Sequence, residues 1–237
     1  MIGLSDFDFV DFGCSTGGSI DFAKKKLGGL RGVGIDIDPK KVESTRSRGV
    51  DAILADATDK DQFDGKVRFS ILSHFLEHLP SQTIVTKALN TAVHVSRRFV
   101  FVRQPWFDSD GDLLAQGLKF YWSDWSGHSM PLTSLQMYVP LAAMLSRGTI
   151  ARFGLFGYKR ISHSSDSRLI PLGGPVNASH YDSALHGPKA EFALRDNVYA
   201  ELVTIIARSD GTMLDKVLSK FTDMHKLYDS DDAMMLA

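Results

Sequence analysis

The stretch VDFGCSTGG at residues 10–18 is an apolar run that ends in a glycine-rich turn, and three segments of the same build follow it: GIDIDP at 34–39, ILADA at 53–57 and FSILSHFLEHLP at 69–80. Each closes on a glycine or an acid, the pattern of a buried parallel strand delivering polar groups at its carboxyl end. That end is where open α/β sheets bind ligands. Four such segments in order read as the floor of a site for a nucleoside-containing ligand.

Outward from these segments, strand and helix signals alternate over the first hundred residues. Strands are predicted at 7–12, 31–36, 51–55, 67–73 and 97–105, with helices at 17–28, 39–48 and 81–94. This is βαβ repetition, and it implies a parallel sheet. Residues 104–131 break the rhythm, carrying all three tryptophans (Trp106, Trp122, Trp125) with Phe107, Phe120 and Tyr121, and read as an insertion over the ligand edge. A helix at 133–146 with Thr133 as its cap follows. Two further strands, 151–161 and 197–208, suit an antiparallel pair, and the long connection at 162–196 reads as a functional arm or interface element. Leu214, Val217, Leu218, Phe221 and Met224 recur at helical spacing before the polar tail YDSDDAMMLA. That helix is expected to dock on its own sheet; a homodimer contact is the alternative. One domain over 1–208, with insertions at about 104–131 and 162–196, then precedes a helix and tail over 209–237.

Composition narrows the function classes. With 43% hydrophobic residues the chain can bury a substantial core, and 27 basic against 28 acidic residues leave no broad attraction for a nucleic-acid backbone. Small or neutral partners are favoured, and no nucleic acid is expected. Cys14 is the only cysteine, no apolar stretch approaches the roughly 20 residues that cross a bilayer, and Met1 opens directly onto a strand. A cytoplasmic protein away from membranes is expected.

Within the first segment, Gly13 and Gly17 let the backbone turn sharply toward a ligand, and the following helix directs free amides at an anion. Asp36 lies 19 residues after Gly17 at the next strand end, from which a carboxylate accepts hydrogen bonds from ribose hydroxyls; Asp38 is the better cap for the helix starting near Pro39. Here the chain resembles the class I methyltransferases that use S-adenosylmethionine, over about residues 7–160. Their first motif has an acid two residues before the glycine-rich turn, as Asp11 stands before Gly13, whereas a dinucleotide-binding GxGxxG turn has no such acid. The resemblance implies a Rossmann-like, doubly wound, mostly parallel α/β sheet of seven strands with an antiparallel last strand pair. It also implies that Asp11 binds the methionyl amine and that the backbone from Gly13 through Cys14, Ser15 and Gly17 packs on the methionyl and ribose parts. Ile37 would accompany Asp36, Asp56 and Ala57 would meet the adenine edge, and Ser73 and His74 would lie along the methionyl moiety. Glu77 and His78 would open the active-site turn. The chain departs from the family at Ser15, commonly Gly, and at Ser70, often Asp.

Methyl transfer needs an in-line acceptor lone pair, and a hydroxyl acceptor must also lose its proton, for which a His near neutrality is suited. His78 and His128 are the candidate catalytic pair, with His74 nearby in sequence. HFLEH at 74–78 also matches the HxxEH pattern of a zinc hydrolase helix, but the next Glu is Glu191 and the upstream run reads as a strand, so no metal is expected. The acceptor is expected to be a small molecule or a sugar or glycan precursor, covered by the aromatic insertion and by the arm with His163, Arg168, His180, Tyr181, His186 and Arg195. DSDGD at 108–112 reads as a solvated turn. The competing functions are a cofactor-binding regulator without turnover and a nicotinamide-dependent oxidoreductase, against which the placement of Asp11 argues.

Overall fold

The computed structural model describes residues 1–176 and 179–234. Its first half is β1 (Ile2–Gly3), β2 (Phe9–Phe12), α1 (Gly18–Phe22) continued by a π-helical turn over Ala23–Leu27, β3 (Gly32–Asp36), α2 (Pro39–Ser47), β4 (Asp51–Leu54), β5 (Phe63–Asp64), β6 (Val67–Ser73), α3 (Gln82–Val95) and β7 (Ser96–Pro105). Strands β4, β3, β2, β6 and β7 lie side by side in parallel, as the βαβ rhythm requires. β1 pairs with β5 outside this sheet.

The second half runs α4 (Asp110–Ala115), β8 (Leu118–Phe120), α5 (Ser134–Ser146), β9 (Arg152–His163), β10 (Leu169–Pro171), α6 (Ser183–His186), β11 (Ala193–Ala207), α7 (Thr212–Leu218), β12 (Met224–Asp229) and α8 (Ser230–Met234). β11 inserts antiparallel between β7 and β9, giving the expected last pair. Thr133 caps α5 in a reciprocal box with Gln136. The aromatic insertion and the arm, 49 residues apart at Phe120 and Leu169, join through antiparallel pairing of β8 with β10.

Two hydrophobic layers follow from the period-2 alternation of each strand. Val10 and Phe12 face a core closed by Val85 and Leu89 of α3 and Met137 and Leu141 of α5. Phe9, Phe69 and Phe99 face the other way, with Ile20 of α1 and Leu214 and Val217 of α7. These three rings are register partners on β2, β6 and β7 and stack at 5.0 and 4.7 Å. Area burial alone contributes roughly 1.5–3 kcal/mol for each such side chain. Ser70, on the opposite face, bonds Ser96 Oγ at 2.8 Å and Ala92 O at 3.2 Å, a packing role between β6 and α3.

The C-terminus departs from the sequence reading. The helix ends at Leu218 rather than running to Met224, and Met224–Asp229 adds an eighth strand antiparallel to β9. Long-range polar contacts specify this edge: buried Asp229 accepts from Arg152 Nε at 2.9 Å and Nη2 at 2.6 Å, and Ser230 Oγ accepts from Phe153 N at 3.1 Å. Local periodicity carries no trace of partners some 77 residues away. α7 itself docks on its own sheet through Met213, Leu214 and Val217. Residues 235–237, the end of the polar tail, lie outside the described residues. Among the described residues no helix is long and apolar enough to cross a membrane.

Candidate functional site

The carboxyl ends of β2, β3, β4 and β6 enclose a cleft of about 480 Å³. At its base Gly13 has φ +70°, and a Cβ there would stand 2.2 Å from the Phe75 ring, so only glycine fits. Ser15, also in the left-handed region, donates its N–H to Asp36 Oδ2 at 2.9 Å, and Asp38 N–H donates to Oδ1 at 3.0 Å. Asp38 caps α2 by accepting from Lys40 N at 2.8 Å, which leaves Asp36 as a cleft residue. A carboxylate has about four lone-pair sites, so Asp36 keeps acceptor capacity for two hydroxyls. Asp56 Oδ1 is taken by Thr58 N and Oγ1, both at 2.8 Å.

Of the residues picked out in the sequence, Gly13, Ser15, Asp36, Ile37, Asp56, Ala57, His74 and His78 line this cleft. Ile37 is 72% exposed, an apolar side chain standing at the rim. Asp11, Cys14, Gly17 and Ser73 do not line it. Strand parity explains Asp11: it shares a face with Phe9, is fully buried, and accepts from Ser19 Oγ of α1. Burial pushes its carboxyl up to about 7. Cys14 packs against Gly34, and burial pushes its thiol up to about 12. Gly17 closes the turn through its N–H to Cys14 O at 2.7 Å, and Ser73 Oγ accepts from Arg103 Nε at 2.7 Å.

A second cavity, about 470 Å³, adjoins the first and shares His74, His78 and Trp125 with it. The insertion supplies Trp122, Trp125 and His128, and the arm supplies Arg168 and His180. Trp106 is buried instead, its indole N–H bonding Ser109 Oγ at 2.7 Å. The remaining arm residues named above do not line this cavity: His163 contacts Ser165, Tyr181 bonds Gly187 O, and His186 contacts Asp182. Arg195 borders a separate surface depression. Asp108 and Asp110 of DSDGD serve local structure, accepting from Ser134 and Ser123.

His78 Nδ1 lies 2.7 Å from Gly127 O and His128 Nδ1 lies 3.1 Å from Trp122 O. A carbonyl only accepts, so each Nδ1 carries a proton and, in the neutral ring, Nε2 keeps its lone pair. Burial holds His128 below the usual imidazole range, with Glu77 opposing. The segment Leu76–His78 is one 3-10 turn, so HFLEH does not form the helix that a zinc hydrolase requires.

Lys159 and Glu201 also line this cavity, 2.8 Å apart on neighbouring strands β9 and β11. Sequence reasoning passed over both, although a charge interrupting the apolar runs FGLFGYKRI and VYAELVTII was the available signal. Among the described residues, Ser15, His74 and Lys159 are the non-glycine positions with positive φ, and all three border one of these two spaces. Such strained backbone concentrates where a side chain must be aimed. A wider, more open groove of about 630 Å³ at Lys60, Lys87 and Arg208 has neither the glycine turn nor an aromatic wall, and it meets the cleft only at Asp56 and Thr58.

Residues 9–98 match a family model described as a methyltransferase domain. Among solved structures, the chain is similar to a SAM dependent methyltransferase from Archaeoglobus fulgidus, with a TM-score of 0.58 at 13% identity over 84% of this chain and 85% of that one. It is also similar to a SAM-dependent methyltransferase from Methanosarcina mazei, at 0.50 and 12% over 86% and 92%. The plantazolicin methyltransferase BamL, solved with a triazolic analog and SAH, gives 0.52 and 13% over 86% and 77%. At these identities the likeness is one of fold. No curated protein matches the chain. The glycine turn and ordered strand-end motifs thus lie within a segment, residues 9–98, that matches a methyltransferase domain, on a sheet with the fold of solved SAM-dependent methyltransferases.

Proposed function

We propose that the protein methylates an oxygen of a small-molecule acceptor such as a sugar or glycan precursor. The observation that carries this reading is the common wall of His74, His78 and Trp125 between the strand-end cleft and the second cavity. Cofactor in the first and acceptor in the second then meet across that wall.

The residues present fit the cofactor. Asp36 offers two spare acceptor positions for the ribose hydroxyls, Ile37 an apolar face and Ala57 an amide for the adenine, and the Gly13 turn a surface that no side chain obstructs. Asp11 stands two residues before that turn and does not line the cleft; its buried Oδ1 is without a partner in the structure, and we assign it to the methionyl amine. When bound, the cofactor supplies an electrophilic methyl on a sulfonium whose sulfur leaves as a neutral thioether. Trp122 and Trp125 stack on the acceptor and exclude water. Lys159, Arg168 and Glu201 give the cavity polar groups for hydroxyl recognition, and His78 and His128 activate the acceptor hydroxyl.

The test is incubation with S-adenosylmethionine and a panel of hydroxyl, amine and thiol acceptors, followed by mass spectrometry of the products. O-methylated sugars or alcohols are expected. Transfer confined to amines or thiols overturns the choice of atom, and saturable SAH binding with no transfer to any member favours a cofactor-binding regulator.

A further inference from the structure

Glu77 is the most unusual group in the acceptor cavity. Its side chain is 1% exposed, yet neither carboxylate oxygen receives a hydrogen bond in the structure. His74 Nδ1 approaches Oε1 only to 3.5 Å, without the geometry of a hydrogen bond. Buried carboxylates are ordinarily paired, hydrogen-bonded or ligated to a metal. This one is bare, and two imidazoles stand beside it.

One Glu77 oxygen and a ring nitrogen each of His78 and His128 lie within 4.8 Å of one another. The two rings are 5.2 Å apart between centroids. Both Nδ1 positions are already committed to the carbonyls of Gly127 and Trp122. That is the outer-shell arrangement by which a protein fixes the tautomer and aims Nε2 at a metal. A proton-relay pair is built otherwise, with the carboxylate itself holding the ring N–H; here the carbonyls hold it and the carboxylate is left over. In sequence His74 and His78 stand four apart, and the next Glu after Glu77 is Glu191. The fold brings in a different set, because the third member comes from the insertion, 50 residues beyond His78.

The geometry points to a divalent transition-metal site formed by Glu77, His78 and His128 at the junction of the two cavities. This inference rests on the methyltransferase reading only for what the cation does, not for whether it binds. Two imidazoles and one carboxylate suit Mn²⁺, Co²⁺ or Zn²⁺ better than Mg²⁺, which prefers an all-oxygen shell. Ligand atoms at roughly 2.0–2.2 Å from an ion stand about 3 Å apart, so binding draws the three groups inward. Three protein ligands leave positions open to the acceptor. A hydroxyl taken there loses its proton to solvent as the O–H bond breaks, and the resulting oxygen forms the new C–O bond while the methyl–sulfur bond breaks.

The experiment uses the full chain after chelator treatment, titrated with Mn²⁺ while the free-ion signal is followed by electron paramagnetic resonance, and with Co²⁺ by visible absorption. One cation per chain is expected, with affinity reduced more than tenfold in Glu77→Gln and in His128→Ala. SAH titration and a thermal melt of each variant show that it is folded. His78→Ala serves where Glu77→Gln fails to fold. No stoichiometric cation in the parent, or binding undiminished in the folded variants, overturns the site. Cation binding without SAH binding upholds the site and removes the function assigned to it, so the two failures are distinguishable.

Discussion

The N–H of Ser15 donates to Asp36 Oδ2 at 2.9 Å and so ties the glycine-rich turn after β2 to the end of β3. One carboxylate thereby shapes the turn and presents its remaining lone pairs to the cleft. Asp36→Ala is expected to abolish measurable SAH affinity in calorimetry, and Asp36→Asn, which keeps an acceptor for Ser15, to retain part of it. Tight binding in Asp36→Ala would remove the ribose assignment.

His128 borders the second cavity and not the strand-end cleft. His128→Ala is therefore expected to keep SAH affinity within about twofold and to lower turnover by roughly 10²-fold or more, the scale of a lost group that activates the acceptor hydroxyl. Equal losses in both quantities would mean that the ring supports the fold rather than the chemistry.

Asp11 gives stability a pH dependence of known sign. Burial raises its folded pKa to about 7, well above the roughly 3.9 of an unfolded aspartate. Between these values the folded chain holds a proton that the unfolded chain releases, so this contribution is complete below about pH 4 and is lost as pH rises through about 7. Asp11→Asn lacks that slope. Its melting temperature relative to the parent should therefore be higher at pH 8 than at pH 5.5; a difference independent of pH would show that the carboxyl does not titrate in this range.

The Phe9, Phe69 and Phe99 stack crosses three adjacent strands, with Phe69 at its centre. Phe69→Ala should cost about 3–5 kcal/mol, read as a lowered urea midpoint with unchanged slope. A loss below about 1 kcal/mol would mean that the neighbouring rings close the cavity.

Much of this was legible in the sequence because it is written in local periods. The apolar runs ending at Gly13, Asp36, Asp56 and His74 fix the strand ends, and the glycine turn with Asp36 fixes the cleft. What escaped depends on partners far along the chain. Met224–Asp229 has a polar, half-exposed edge-strand pattern, and its place is set by Arg152. Glu77 reads with His78 as the opening of the active-site turn, but its neighbour in space, His128, is delivered by a turn in the insertion. Asp11 lies on β2, and which way it faces follows from strand parity: it shares a face with Phe9, while Val10 and Phe12 turn to the other layer.

The three backbone pairs between β8 and β10 make the insertion and the arm a single mechanical unit, although they leave the parent fold at two separate points. Grafting either segment alone onto a relative would strand a three-residue strand with no mate. Transplanting the second cavity by recombination thus requires both crossovers together, whereas point changes at Trp122, Arg168 or His180 can alter its lining without disturbing that joint.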